Sequence, residues 1–200
     1  MGPGAITVVL LFLLVFLSWQ TIYAANRDLA RAKAWGDLAR RALPFGALLV
    51  MASSLFVVQS FRDERVMLVW IVVSGVLIIG ASYLSVPLLE RRASRAFRSG
   101  DYATAAELYG RLAEEKPLAR NYAFLGAALG ASERFDESID ASTQAIEKDP
   151  EYGLAYYNRA LILQRTGKKG RATKDLKKAL EVDLPRRFRT AVRRMLQESS

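Results

Sequence analysis

Hydrophobic and polar positions divide the chain into two materials. Residues 5–25, AITVVLLFLLVFLSWQTIYAA, carry no ionisable side chain. As a helix rising ~1.5 Å per residue they extend about 30 Å, the thickness of a bilayer core. A second uncharged run, LPFGALLVMASSLFVVQSF, occupies 43–61, and a third, VMLVWIVVSGVLIIGASYL, starts at Val66 and continues to about Val86. Only Arg62, Asp63, Glu64 and Arg65 stand between the last two. The pattern predicts transmembrane helices at about 5–25, 43–61 and 66–86. The second and third form an antiparallel hairpin, with Pro44 at a helix start, where its missing N–H costs nothing. A cleaved leader competes for the first run, but a basic leading segment is absent and Tyr23 occupies a place where cleavage after Ala25 would want a small residue.

Between the first two runs, Leu29, Ala32, Trp35, Leu38 or Ala39, and Ala42 recur at three and four, so residues 26–42 can form one helix with a weak apolar stripe. Such a helix can lie among lipid headgroups or simply extend the neighbouring spans. Beyond Pro87 the long apolar runs give way to shorter amphipathic helical patterns separated by polar turns. Because Pro87 directly follows the third run, the second half is expected to be held close to the membrane.

Charge sharpens this division. Of 29 Lys and Arg and 20 Asp and Glu, only 7 and 4 precede Glu90, leaving 22 basic and 16 acidic residues after them. The 26–42 segment holds Arg27, Arg31, Lys33, Arg40 and Arg41, and Arg91, Arg92, Arg95 and Arg98 follow the third run. The opposite side has Arg62 and Arg65, offset by Asp63 and Glu64. The basic bias predicts an external N-terminus and a cytosolic C-terminal domain. Trp19, Tyr23, Trp70 and Tyr83 suit interfacial belts. The layout points to a bacterial cytoplasmic membrane.

The chain has no Cys and no His. Disulfides, thiolate nucleophiles, Cys- or His-type metal sites and Ser-His-Asp chemistry are thereby excluded. No catalytic residue, metal ligand or cofactor site is expected. The predicted spans contain no ionisable residue that would mark a transport path. Their small residues at helical spacing, Ala47 with Ser54, Ser74 with Ala81 and Gly75 with Ser82, allow close helix packing.

The second half repeats. Tyr122, Gly126, Leu129, Phe135, Ser138 and Ala145 return 34 positions later as Tyr156, Ala160, Leu163, Lys169, Ala172 and Ala179. A third copy lies 33 positions earlier at Leu89, Ala93, Ala96, Tyr102, Ala105 and Leu112. A fixed period with two helical patterns per unit indicates a solenoid of helical hairpins. At these residues the chain resembles the tetratricopeptide repeat (TPR) family, over about 87–184. NYAFLGAAL with RFDESIDASTQAIEKDP, and AYYNRALIL with GRATKDLKKALEVDLP, follow that family's order of aromatic, small and large positions. Departures are Leu89 for the aromatic, Ser138 for an alanine, Lys169 for a large apolar residue, and Leu184 one place before Pro185. The expected architecture is therefore all-α: three transmembrane helices (1–86), a TPR-type α-solenoid (87–184; units about 87–118, 119–152 and 153–184), and a capping helix and tail (185–200). The cap's apolar stripe is Phe188, Ala191, Val192, Met195 and Leu196.

The resemblance also implies a groove lined by the first helix of each unit. Carried over by position, it comprises Phe97 and Arg98 from the first unit and Arg120, Ala123, Ala127, Gly130 and Ala131 from the second. The third contributes Leu154, Tyr157, Asn158, Leu161, Gln164 and Arg165. The second unit is expected to offer a shallow floor of small residues, although these equally suit tight helix packing. A dicarboxylate clamp is incomplete: Asn158 matches one of its positions, but Ala123 and Ala127 stand where Lys and Asn are wanted.

Residues 165–200 carry net +8 against −5 over 99–164, and can meet anionic lipid or an acidic partner. Nucleic acid is disfavoured because no recognisable binding module accompanies the charge. The sequence thus favours a non-enzymatic, membrane-anchored scaffold that binds other proteins and recruits or assembles a membrane complex. The alternative is a stoichiometric accessory subunit held mainly through its spans.

Overall fold

A computed structural model describes residues 3–61 and 63–198, apart from the side chains of 3–12, 14, 56 and 59. Of the positions used above, Arg62 and Ser200 lie outside the described residues. The chain divides into two compact units, Met1–Pro87 and Leu88–Ser200.

In the first unit, α1 spans Pro3–Ala25, α2 Arg27–Arg31, α3 Trp35–Val58 and α4 Glu64–Leu84, with a 3-10 turn at Gln59–Phe61. Two expectations are corrected here. Residues 26–42 do not form one helix: Lys33 adopts φ +54, and the Ala34 N–H returns to the Leu29 carbonyl at 2.9 Å, closing α2. A left-handed residue ends a helix because the next N–H is turned back onto it. Leu29 and Leu38 are buried while Trp35 is 60% exposed, so the expected continuous stripe is split.

Pro44, in turn, lies inside α3 and not at its start. Asp37 in the first turn and the helix-forming Leu38–Ala42 stretch carry the helix through it. Pro44 removes one backbone donor without ending the helix. The α-helix then stops at Val58, short of 61. The third run begins earlier than expected, because Asp63 caps α4 by accepting from the Arg65 N–H at 2.8 Å. It ends at Leu84, leaving Ser85 and Val86 outside the helix.

Two described helical stretches, Trp35–Leu55 and Glu64–Leu84, are long and apolar enough to cross a membrane. They are joined by a polar contact, the Trp70 indole donating to the Ser54 hydroxyl at 2.9 Å. Ser54 therefore serves as a hydrogen-bond acceptor as well as a small packing residue.

The second unit is three helical hairpins and a cap. Helices α5 (Leu88–Arg98) and α6 (Tyr102–Glu115) form the first hairpin. α7 (Ala119–Ala131) and α8 (Phe135–Lys148) form the second, α9 (Gly153–Arg165) and α10 (Lys169–Glu181) the third, and α11 (Arg186–Glu198) the cap. The hairpin turns share one geometry. Gly100, Glu133 and Gly167 have φ of +82, +62 and +75. After each, the N–H of Asp101, Arg134 or Lys168 reaches back to Ala96, Leu129 or Leu163 at 3.0, 2.9 and 2.7 Å. These bonds satisfy carbonyls left open at the ends of α5, α7 and α9. Glutamate holds the left-handed position in the middle turn, where the other two hairpins use glycine.

Alanines set the spacing. Ala93, Ala105, Ala123, Ala128, Ala145, Ala155, Ala160, Ala172 and Ala179 are fully buried. Larger side chains fill between them, with Tyr109, Leu112 and Leu129 at one end and Leu163, Leu176 and Val192 at the other. Gly126 and Gly130 permit the closest approaches within α7. A methyl group on Gly126 would stand 2.5 Å from the Ser142 hydroxyl, and one on Gly130 2.5 Å from Ile162 Cδ1. Ser138, in its alanine-like place, is fully buried and donates to the Gly126 carbonyl at 2.6 Å. Its hydroxyl is thus accommodated by the glycine opposite.

Candidate protein-binding groove

Helices α5, α7 and α9 are the first helices of successive hairpins, and α7 packs against both α8 and α9. That packing decides which expected groove residues remain open. Ala123 is fully buried with Ala145 and Ala155. The Asn158 amide donates to its carbonyl at 2.8 Å. Asn158 is itself buried, so its side chain braces α9 to α7 instead of facing a ligand. Gly130 lies under Ile162. Arg120 and Leu154 are also buried. At Ala123 and Gly130, the small residues expected as floor are helix-packing residues.

A different subset stays accessible. Ala127, Ala131, Leu161 and Gln164 are partly exposed, and Arg98 and Arg165 are exposed. Arg165 reaches across the repeat boundary, Nη1 donating to the Gly130 carbonyl at 3.3 Å. Its guanidinium is thereby positioned beside the C-terminal end of α7, where the helix dipole favours a cation. Phe97 is half-buried, edge-on to Tyr102 with centroids 5.3 Å apart. The structure therefore leaves small apolar positions on α7 next to Leu161, Gln164 and Arg165 on α9. Such a surface can take an apolar segment carrying some negative charge.

Tyr157 is only half open. Its ring lies 5.2 Å from that of Phe188 on α11, and burial pushes its hydroxyl pKa up. Tyr109 is shifted up as well, chiefly by burial and against its 3.0 Å hydrogen bond with Ser94. Burial likewise raises Tyr156. The cap thus covers part of the surface that Tyr157 was expected to present.

Two polar braces were missed in the sequence. Arg159 binds Asp175 through both branches, at 2.7 and 2.8 Å, and donates to Thr143 at 3.0 Å, tying α8, α9 and α10 together. The signal was present: Asp175 falls on the stripe Ala172, Leu176 and Ala179, and an acid on a buried stripe demands a partner. Arg189 on α11 donates to the carbonyls of Leu180, Val182 and Leu184, each at 3.1 Å. It closes the end of α10. Its sequence neighbours Arg186, Arg187, Arg193 and Arg194 are exposed, so spacing alone does not distinguish it. Among the described residues, no group of acids is arranged to hold a metal ion.

Comparison with known proteins agrees with this architecture. A sequence profile of the tetratricopeptide repeat family matches residues 142–174. The small glutamine-rich tetratricopeptide repeat-containing protein 2 of Mycosarcoma maydis is 31% identical over 96 residues, 48% of this chain but only 27% of that protein's length. The type III secretion translocator chaperone SycD of Yersinia enterocolitica superposes with a TM-score of 0.52 at 23% identity, over 56% of this chain and 88% of that one. The TPR2B domain of yeast Sti1, solved in complex with pHsp70, gives the same TM-score and identity over 56% of this chain and 92% of that one. With their shared turn geometry and buried alanines, the hairpins from Leu88 to Glu181 have the fold of these solved helical-repeat proteins, and the tetratricopeptide repeat profile falls on the second and third of them.

Proposed function

We infer that this chain is a membrane-anchored scaffold whose repeats bind an apolar, partly acidic segment of a partner protein and so recruit it to, or assemble it at, the membrane. The observation that carries the reading is the exposed character of α4. Leu68, Val69, Val72, Val76, Ile79 and Leu84 are each more than 60% exposed, on a helix with no charge between Arg65 and its end. A helix apolar all round is stable where lipid or other apolar helices surround it. A soluble core helix would be covered. The repeats supply the binding half: TPR2B was solved with pHsp70, and SycD has been solved with a peptide of the translocator YopD. The chemistry is binding, without catalysis.

Basic residues in 26–42 and after α4 orient the anchor with the repeats in the cytosol, in a bacterial cytoplasmic membrane, and the uncharged α1 provides a third crossing. The test is alkaline carbonate extraction of the full chain combined with a reporter joined to its C-terminal end. Resistance to extraction with a cytosolic reporter supports the reading. Release into the supernatant, or an external reporter, refutes it.

A second reading, a stoichiometric accessory subunit held through its spans, is favoured by one feature. Methyl groups placed on Gly46, Gly75 or Gly80 would meet nothing within 4 Å. These small residues are therefore not consumed in packing α3 on α4, and suit the approach of helices from another protein. Sizing in mild detergent after removal of the repeats separates the readings: an unchanged large complex supports the subunit, and its loss supports the scaffold.

A further inference from the structure

The outer surface of the repeats reverses its charge between adjacent hairpins. On α8, Glu137 and Asp140 are exposed; 34 positions later, at equivalent places on α10, stand the exposed Arg171 and Lys174. Lys177 continues the α10 stripe, and Lys168, just before the helix, and Lys169, its first residue, are exposed. On α11, packed against α10, the outward residues are Arg186, Arg187 and Arg193. None of these eight cations takes part in an ion pair among the described residues. The acids near them are already engaged: Asp175 with Arg159, Glu181 with Lys178, and Glu198 with Arg194. Although Arg187 also lies over the Phe188 ring at 4.8 Å, the surface carries an excess of positive charge, which attracts polyanions and anionic surfaces.

End-to-end association with a second copy is disfavoured by charge. The opposite end of the stack, α5, exposes Arg92, Arg95 and Arg98, so stacking α11 on α5 would oppose like charges. Nucleic acid lacks its usual partners on this surface. The aromatic side chain of α11, Phe188, is turned inward onto Tyr157 and not out for base stacking. A planar array of anionic headgroups asks only for clustered Lys and Arg.

We propose that the outer face of α10 and α11 docks on anionic phospholipid headgroups, pinning the C-terminal end of the repeats to the bilayer. This rests on the anchored reading to the extent that the anchor brings the repeats to a membrane. Linking them to an inserted helix makes headgroup contact intramolecular and raises its effective concentration. Each basic residue adds about fivefold to the docked-to-undocked ratio, so neutralising three lowers it roughly a hundredfold.

The absence of cysteine gives a direct test. The full chain carrying Gln197→Cys, an exposed position on α11, is labelled with a fluorophore. It is reconstituted in nanodiscs of phosphatidylcholine alone or mixed with phosphatidylglycerol, each with a headgroup-quencher lipid. Docking predicts strong quenching only in the anionic discs. High salt removes it, and so do Arg186→Gln, Arg187→Gln and Arg193→Gln together. A second variant, Lys174→Gln with Lys177→Gln on α10, reduces it less, and amide exchange of α10 checks folding of both.

Equal quenching in the two discs, or quenching that survives the triple substitution, overturns the proposal. So does quenching that depends on the number of chains per disc, or stronger retention of the solubilised chain by an RNA duplex through the same arginines. Carbonate extraction of a chain that still docks on anionic discs would refute the anchor and leave the headgroup contact standing.

Discussion

Replacing Gly153 by alanine tests whether the third hairpin is closed as tightly as its geometry indicates. Gly153 opens α9 beside the segment that leaves α10, and an added methyl would lie 2.8 Å from Leu184 N, 2.9 Å from Leu184 Cβ and 3.0 Å from the Asp183 carbonyl carbon. Two of these neighbours are backbone atoms, so no rotamer change relieves the clash. The strands of chain must part, weakening Gly153 N–H to Asp183 O at 3.2 Å and Asp183 N–H to Glu151 O at 3.0 Å. Overpacking costs about 1–3 kcal/mol, and each weakened hydrogen bond up to about 1 kcal/mol. Helix propensity returns at most about 1 kcal/mol. The net loss is about 2 kcal/mol, which lowers the midpoint of a unit this size by about 8–16 °C.

The matched control is Gly170→Ala in α10, where the methyl meets nothing within 4 Å. Propensity alone then operates, and stability rises by up to about 1 kcal/mol. Trp19, Trp35 and Trp70 all precede Leu88, so tryptophan emission does not report on the repeats. Hydrogen exchange of peptides from 119–184 in the full chain, measured across temperature, is the suitable assay. Opposite shifts are expected. Equal shifts, or a neutral Gly153→Ala, would refute the packing argument.

Three further outcomes are expected. Asp175→Asn leaves Arg159 without its carboxylate in a site where the two side chains are only 18% and 9% exposed, and costs about 2–4 kcal/mol. The double variant Arg159→Met with Asp175→Leu costs less than either single change, measured as a double-mutant cycle by denaturant unfolding. Arg189→Met opens three carbonyls at the end of α10, raising amide exchange in α10 and α11 with a loss of about 1–2 kcal/mol. The pH dependence has a defined sign. Unfolded tyrosines ionise near about pH 10, whereas burial raises Tyr109, Tyr156 and Tyr157 above that. Their contribution is complete below about pH 10 and is lost as pH rises through the folded values, because the unfolded chain then binds fewer protons. Alkaline unfolding followed by tyrosinate absorbance, moved to higher pH by Tyr109→Phe, checks this.

The hairpins were legible because the residues that set helix spacing recur with the repeat: Gly126 and Ala160, and Ala145 and Ala179, can be read without coordinates. What repeated positions do not reveal is which neighbour covers them. Ala123 and Tyr157 are equivalent, yet Ala123 is buried against α8 and α9 while Tyr157 is only partly covered, by the cap's Phe188. Asn158, at a clamp-like position in the repeat, is spent on the Ala123 carbonyl. In the first unit, hydropathy shows where apolar helix lies but not where helix begins, since residues 35–42 carry Asp37, Arg40 and Arg41 yet are helical and Pro44 does not interrupt them. The break at Lys33 depends on one left-handed residue, a conformation unusual for lysine and therefore invisible to propensity.

In the proposed function, the open part of the groove holds a protein partner at the membrane. A photo-crosslinking residue replacing Leu161 in the full chain, in native membranes, tests it directly, with the same residue replacing the exposed Asp140 on α8 as control. One discrete protein adduct is expected from position 161, none of the same size from 140, and loss of the adduct when Ala127→Arg blocks the adjoining surface of α7. Identical adducts from both positions, or an adduct from 161 that persists with Ala127→Arg, would contradict it.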